Sequence, residues 1–265
     1  MDKINSIDEL HQLTLNISKE FHKVCEKHHI PYYMLYGTML GAKRHQGFIP
    51  WDDDMDFGVK YESYDKLVEA LKEDLPERYR CVTRYDRQGA VGGFLKIEDT
   101  YTVVHEESRL HDADNTGVFI DVFLLYPCSG NKSWFSRSGL IKLCTLIQAY
   151  RFYSKKEPKW QFLVSRVMKA CFFWLKKPSM INFYERVLVP NDGEYMSTHS
   201  SVYNLKDVIN KNIYGNPKLY QFGDVQFYGV EDADSYLKHL YGDYMRLPPI
   251  EKRRVHISKV YWKYK

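Results

Sequence analysis

Between Gly37 and Phe57 the chain reads Gly-Thr-Met-Leu-Gly-Ala-Lys-Arg-His-Gln-Gly-Phe-Ile-Pro-Trp-Asp-Asp-Asp-Met-Asp-Phe, so four carboxylates, Asp52, Asp53, Asp54 and Asp56, fall within five residues. Negative charges packed this closely repel, and each disfavours ionisation of the next unless something positive neutralises them. A solvated acidic loop is one resolution. The neighbouring residues suggest another, because Met55 and Phe57 flank Asp56 as on a half-buried strand. On a strand over Met55–Val59 side chains alternate, which puts Asp54 and Asp56 on one face, about 7 Å apart along the chain. Paired carboxylates suit a hard cation, and Mg2+ or Mn2+ prefers such oxygen donors. A third acid, Asp121, stands alone in the apolar run Val118–Leu124. Burying it without a partner is expensive; a metal or a salt bridge would remove that cost.

Hydrophobic periodicity supplies the frame around these acids. Leu10, Leu13, Ile17, Phe21 and Val24 recur at helical spacing, which predicts a helix over residues 6–29, opened by a capping box of Ser6 and Glu9 and closed before Pro31. Tyr32–Tyr36 reads as a short strand running into the turn Gly37-Thr38, and Tyr61–Asp74 as a second helix. Short β segments are expected at Tyr79–Val82, Gly92–Ile97, Thr102–Glu106 and Val118–Leu124, and a late helix at Ala233–Tyr241 with Gly242 as its C-cap. Residues 133–188 read as helical and basic, broken at Pro158 and Pro178, and 191–230 as a polar, tyrosine-rich stretch. The expected architecture is α/β (α+β): a catalytic core in 1–130 with a mixed sheet, a basic helical insertion in 131–190, and a C-terminal segment, 191–265, that packs back on the core.

An apolar strand ending in Gly-Thr, then Asp-x-Asp between apolar residues, then an apolar-Asp-apolar strand, resembles the polymerase-β-type nucleotidyltransferase fold. The stretch from Tyr36-Gly37-Thr38-Met39-Leu40-Gly41-Ala42 into Gly47-Phe48-Ile49-Pro50-Trp51-Asp52-Asp53-Asp54-Met55-Asp56 resembles the signature of the LicD family, which includes the fukutin-related proteins. Leu95–Asp99, Phe119–Phe123 and Tyr236–Met245 with Pro248-Pro249 resemble the same family. The resemblance implies a phosphotransferase that takes a CDP-linked alcohol, CDP-choline above all, and moves the phospho-alcohol to a sugar hydroxyl of a cell-surface glycan such as a teichoic acid, capsule or lipopolysaccharide precursor, releasing CMP. It implies that Asp54, Asp56 and Asp121 hold Mg2+ or Mn2+, with Asp121 assisting deprotonation of the acceptor hydroxyl, and that Gly37 and Thr38 contact the pyrophosphate. A nucleotidyltransferase that uses an NTP and releases pyrophosphate remains the alternative enzyme. A non-catalytic glycan-binding module is the alternative outside enzymes.

Other residues near the motif carry two readings each. Lys96 either neutralises phosphate charge or is a surface lysine of a β ladder. Arg44 and His45, beside the acidic run, either reach phosphate or are solvated. Trp51 either stacks a base or a choline cation or plugs the core. Asp243 reads as a brace for the tail, and Arg253, Arg254 and His256 as a solvated basic tail.

Composition narrows the partners. The net charge of +4 conceals a segment, Lys132–Lys177, with eleven Lys/Arg and one acid, Glu157, for a local charge of +10. Phe135, Leu140, Phe162, Val167 and Trp174 are interleaved with its basic residues. Such basic amphipathic segments suit an anionic membrane surface, or an ordinary helical subdomain with a wet basic face. No nucleic-acid motif is present. The expected location is cytoplasmic, peripheral to the inner face of the membrane, with a lipid-linked glycan as acceptor. Five scattered cysteines without a C-x-x-C pair fit a reducing compartment. The polar start Met1-Asp2-Lys3 lacks a signal-peptide core, and no apolar run reaches the ~18 residues of a membrane span.

Overall fold

A computed structural model of the chain describes residues 2–4, 6–83, 85–86, 94–104, 116–130, 159–171, 177–188, 193–198, 204–253 and 260–263. In chain order its elements are β1 (Lys3–Ile4), α1 (Ile7–Lys27), β2 (Tyr32–Met34), α2 (Tyr36–His45), β3 (Asp56–Lys60), α3 (Tyr64–Asp74), β4 (Tyr79–Val82), β5 (Phe94–Asp99), β6 (Thr102–Val104), β7 (Phe119–Cys128), α4 (Lys159–Cys171), α5 (Lys177–Leu188), β8 (Tyr195–Ser197), β9 (Ile209–Asn210), α6 (Lys211–Tyr214), β10 (Lys218–Phe222), β11 (Val225–Gly229), α7 (Ala233–Tyr241) and β12 (Val260–Trp262).

The main sheet runs β10-β11-β2-β3-β7-β5-β4, with β8 and β9 joined to the far end of β7. It is mixed: β3 pairs parallel with β7 and β11 parallel with β2, and the other pairings are antiparallel. A smaller sheet of β1, β12 and β6 brings the two ends of the chain together. The α/β class with a mixed sheet is therefore as the sequence indicates.

Helix α1 lays the expected stripe, Leu10, Leu13, Ile17, Phe21 and Val24, into the core. Phe21 meets Tyr32 and Phe57 edge-on or tilted, with ring centroids 4.9 and 5.0 Å away, and Phe57 meets Phe227 of β11 at 5.8 Å. Phe57 thus points from β3 toward α1. Its neighbour Asp56 must point to the opposite face of the sheet, away from the densest apolar packing.

Several local expectations change. The Ser6 hydroxyl accepts from the Asp8 N–H rather than forming the box with Glu9. Tyr36 does not end a strand: β2 stops at Met34, and Tyr36 opens α2 with φ +44°. Pro178 falls in the first turn of α5, where a missing N–H costs nothing. The stretch 191–230, expected only as polar, supplies β10 and β11 to the main sheet. The expected helical residues at 133–158, with Phe135 and Leu140 among them, lie outside the described residues. So do Trp174, Gly92 and Gly93, His105 and Glu106, Arg254 and His256. The late helix is α7 as expected, closed by Gly242 at φ +71°, a conformation glycine adopts without strain.

Phe57 is fully buried among aromatic rings. Phe57→Ala is expected to cost about 3–5 kcal/mol through lost burial and a cavity, read by urea unfolding. Leu219→Ala, at a side chain 44% exposed on β10, should change stability by no more than about 0.5 kcal/mol.

Candidate active site

The registers of three neighbouring strands place Asp56 opposite Asp121 and Asp121 opposite Lys96. Residues directly opposed across strands share a face, so Asp56, Asp121 and Lys96 form one polar row on the sheet face turned away from α1. Lys96 is only 4% exposed, and its Nζ lies 2.5 Å from Asp121 Oδ1. The contact is an ion pair off the hydrogen-bonding direction, since Asp121 Oδ1 has no aligned donor. Lys96 Nζ also sits 3.2 Å from the centroid of the Phe119 ring. The lone acid of the apolar strand is thus met by a salt bridge. Lys96 is not a surface lysine, and its charge faces the carboxylates.

Asp52, Asp53 and Asp54 precede the strand instead of extending it, because β3 begins at Asp56. The backbone of this loop is held by a local turn bond and by contacts from distant segments. The Asp52 N–H donates to Ile49 O at 2.9 Å, and Met55 O accepts from the Asp121 N–H at 3.0 Å. His11 of α1 donates from Nε2 to Asp52 O at 2.6 Å while its ring stacks on Phe48. The carboxylates of Asp52, Asp53 and Asp54 gather so that one oxygen from each lies within 4.8 Å of the others.

The electrostatics follow from this crowding. Burial, then the neighbouring Asp53, pushes Asp52 up to about 6. Asp56 is held well above the usual carboxylate range, first by burial and then by Asp54, Asp121 and Asp52, with Lys96 opposing. Asp54 and Asp121 therefore both act on Asp56, although the three come from a loop and two strands.

Gly37 and Thr38 form the first turn of α2, beside the acids. A Cβ at Gly37 would lie 2.5 Å from Asp52 Oδ2, so only glycine lets that carboxylate rest on the helix N-terminus, where the backbone dipole favours negative charge. Thr38 Oγ1 accepts the Asp56 N–H at 2.7 Å. It fixes the start of β3 and still has its own proton to donate.

The strained residue at this corner, Tyr36, is held from both ends. Its N–H donates to the Tyr236 hydroxyl at 3.2 Å, and its own hydroxyl donates to Asp207 Oδ1 at 2.6 Å. Asp207 is buried and also accepts from Ser197 Oγ, the Thr198 N–H and Thr198 Oγ1 at 2.6–3.0 Å. Burial raises its carboxyl, and these donors oppose the rise. Sequence reading missed Asp207 and His11. Neither stands in a pattern, and their roles depend on contacts across 171 and 41 residues.

Arg44, His45 and Trp51 form a second group at the other end of α2, roughly 12 Å along the helix from Gly37 at 1.5 Å per residue. Arg44 Nη1 donates to Tyr244 O at 2.7 Å and Arg44 Nε to His45 Nε2 at 2.9 Å. The His45 and Trp51 ring centroids are 6.3 Å apart, and the Arg253 guanidinium covers the Trp51 ring at 4.8 Å. Arg253 is therefore docked on the loop, not part of a solvated tail. Burial lowers the Arg44 guanidinium, and the Arg253 charge lowers it further. The first group thus consists of the row Asp56, Asp121 and Lys96 with Asp54 of the loop and Gly37 and Thr38 of α2 beside it, whereas Arg44, His45 and Trp51 face the C-terminal segment.

A divalent cation fits the first group. The donors are all hard oxygens, Asp52 and Asp56 are raised first by burial and then by neighbouring carboxylates, and one buried oxygen of Asp121 lacks an aligned donor. A cation among them would relieve that repulsion.

Paired aspartates on neighbouring strands, with a Gly-Thr helix start beside them, resemble a nucleotidyltransferase type of site. Residues 29–142 match the model of the LicD/FKTN/FKRP nucleotidyltransferase domain. The chain therefore carries a region similar to the LicD-family nucleotidyltransferase domain. The lipopolysaccharide cholinephosphotransferase LicD of Haemophilus influenzae is 28% identical over 272 residues, covering 95% of this chain and 96% of that protein. Uncharacterized proteins of Rickettsia prowazekii and Rickettsia typhi are 42% and 46% identical over 57 residues, covering 21% and 18% of their own lengths.

Two outcomes test this geometry. Tyr36→Phe removes one donor from buried Asp207 and is expected to cost about 1–3 kcal/mol in urea unfolding. For Asp52, the native state binds more protons than the unfolded chain between about pH 4 and the raised value of about 6. Its contribution therefore weakens stability as pH rises through that window. In chelator, the melting temperature of Asp52→Asn should match wild type near the bottom of the window and exceed it above pH ~6.

Proposed function

We propose that the chain transfers phosphocholine from CDP-choline to a sugar hydroxyl of a cell-surface glycan, releasing CMP. The observation that carries this reading is the opposed pair Asp56 and Asp121 with Lys96 completing the row. The relative named as a lipopolysaccharide cholinephosphotransferase supports choline as the alcohol and lipopolysaccharide as the acceptor. Teichoic acid and capsule precursors carry the same kind of hydroxyl. The acceptor glycan is borne on a lipid, and the enzyme works peripherally at the inner face of the membrane. No helix among the described residues is long and apolar enough to cross one.

The chemistry is an in-line displacement. The acceptor oxygen bonds to the phosphorus that carries choline, the bond from that phosphorus to the CMP oxygen breaks, and CMP leaves with the electron pair. The acceptor proton passes to a carboxylate of the row, Asp121 in this reading. Lys96 balances charge on the phosphoryl oxygens, and the N–H groups at Gly37 and Thr38 face the diphosphate at the positive end of α2. Asp54, Asp56 and Asp121 would hold Mg2+ or Mn2+, which supplies charge stabilisation to the attacking and leaving oxygens.

Phosphorus NMR with Mg2+, CDP-choline and a bacterial membrane fraction tests the reading. CMP formation that needs both metal and membranes is the expected result. Pyrophosphate from CTP alone would mean nucleotidyl transfer instead. Asp56→Asn and Asp121→Asn should each lower CMP release by at least about a thousandfold, the scale for losing charge stabilisation in a dry site. In chelator Asp56→Asn should melt no lower than wild type, whereas Asp121→Asn strips the buried Lys96 of its ion-pair partner and should melt lower while keeping its native circular dichroism.

A further inference from the structure

The described part of the basic segment contains an apolar face that the core does not use. On α4, Trp160, Leu163, Val164 and Val167 follow the spacing i, i+3, i+4, i+7, which is one face of a helix. They are 63%, 64%, 40% and 51% exposed. On α5, Ile181 is fully buried in the core while Phe183 is 53% exposed, so α5 is anchored and turns an aromatic ring outward. Single exposed hydrophobic residues need no explanation, but four large ones on one helical face do.

We propose that this face of α4 inserts in the plane of an anionic lipid bilayer and seats the enzyme on its membrane. Helix α4 carries Lys159, Arg166 and Lys169 and no acid, within a segment of net charge +10. Arg166 on α4 and Arg186 on α5 are exposed. A basic flank around a Trp/Leu/Val face is the composition of an interfacial helix. A second copy of the chain is the poorer occupant, because it would bring a like-charged segment against this one. One face of a thirteen-residue helix is also far short of the ~800 Å² per partner of a stable interface. The lipid-borne acceptor of the proposed function gives the docking a purpose and rests on that reading; the assignment of the surface rests on α4.

Vesicle flotation of the full-length chain tests this, using phosphatidylcholine alone and phosphatidylcholine mixed with phosphatidylglycerol. Binding is expected only to the mixed vesicles, weakening as salt rises. Leu163→Glu/Val167→Glu should weaken it by at least about tenfold without changing the melting temperature, because both positions are exposed. Trp160→Phe should keep binding and lose the blue shift of tryptophan emission on vesicle addition. Indifference of wild type to anionic vesicles, or unchanged binding by the double variant, would overturn the proposal. So would a wild-type dimer in size-exclusion chromatography that the double variant dissolves. CMP release from CDP-choline with Mg2+ and the bacterial membrane fraction, measured on the same preparations, separates the readings. Vesicle binding through α4 without CMP release would sink the proposed function and leave the surface standing.

Discussion

The parallel pairing of β3 with β7 is the contact on which the site depends. It sets Asp56 directly beside Asp121, and two carboxylates so placed repel unless their charge is balanced. The antiparallel partner β5 brings that balance in the form of Lys96. The sheet thus carries an Asp–Asp–Lys row on one face. On the other face, Phe57 and its aromatic neighbours supply burial that holds the strands at this spacing. Core and site are two sides of the same three strands.

Around that row the loop from Trp51 to Met55 is held by groups from separate parts of the chain. His11 takes the Asp52 carbonyl, Thr38 takes the Asp56 N–H, and Gly37 leaves room for the Asp52 carboxylate. Tyr36 starts α2 in a left-handed conformation, which costs energy for a bulky residue. Its hydrogen bonds to Asp207 and Tyr236 offset that cost. The charged cluster is therefore preorganised by neutral and buried polar contacts rather than by the acids themselves. Helix α2 then links two regions, with the Gly37-Thr38 turn at its N-terminus and the Arg44–His45–Trp51–Arg253 cluster at its C-terminus.

Patterned segments could be read directly. The stripe of α1, the strand β4 and helix α7 with its glycine cap follow from periodicity and local chemistry, which operate over a few residues. The acids Asp54, Asp56 and Asp121 and the pair Gly37-Thr38 were recognisable because each breaks an apolar context that makes it costly. Tyr36 misled, since an aromatic residue after three strand residues reads as more strand. Only the distant Asp207 and Tyr236 make its helical start affordable. Strands β10 and β11 were hidden in a polar stretch because an antiparallel strand with one wet face needs few apolar residues.

Sequence by itself determined the class of chemistry: hard oxygen donors beside a glycine-threonine turn, a mixed α/β frame, and a strongly basic segment. Those properties reside in residue types and short spacings. Only the tertiary structure decided which acids face each other, that Lys96 is buried against Asp121, that Arg253 covers Trp51, and that the apolar face of α4 is left exposed. Each depends on strand register or on contacts between residues far apart in the chain, and one-residue slips in register would turn every such side chain to the opposite face.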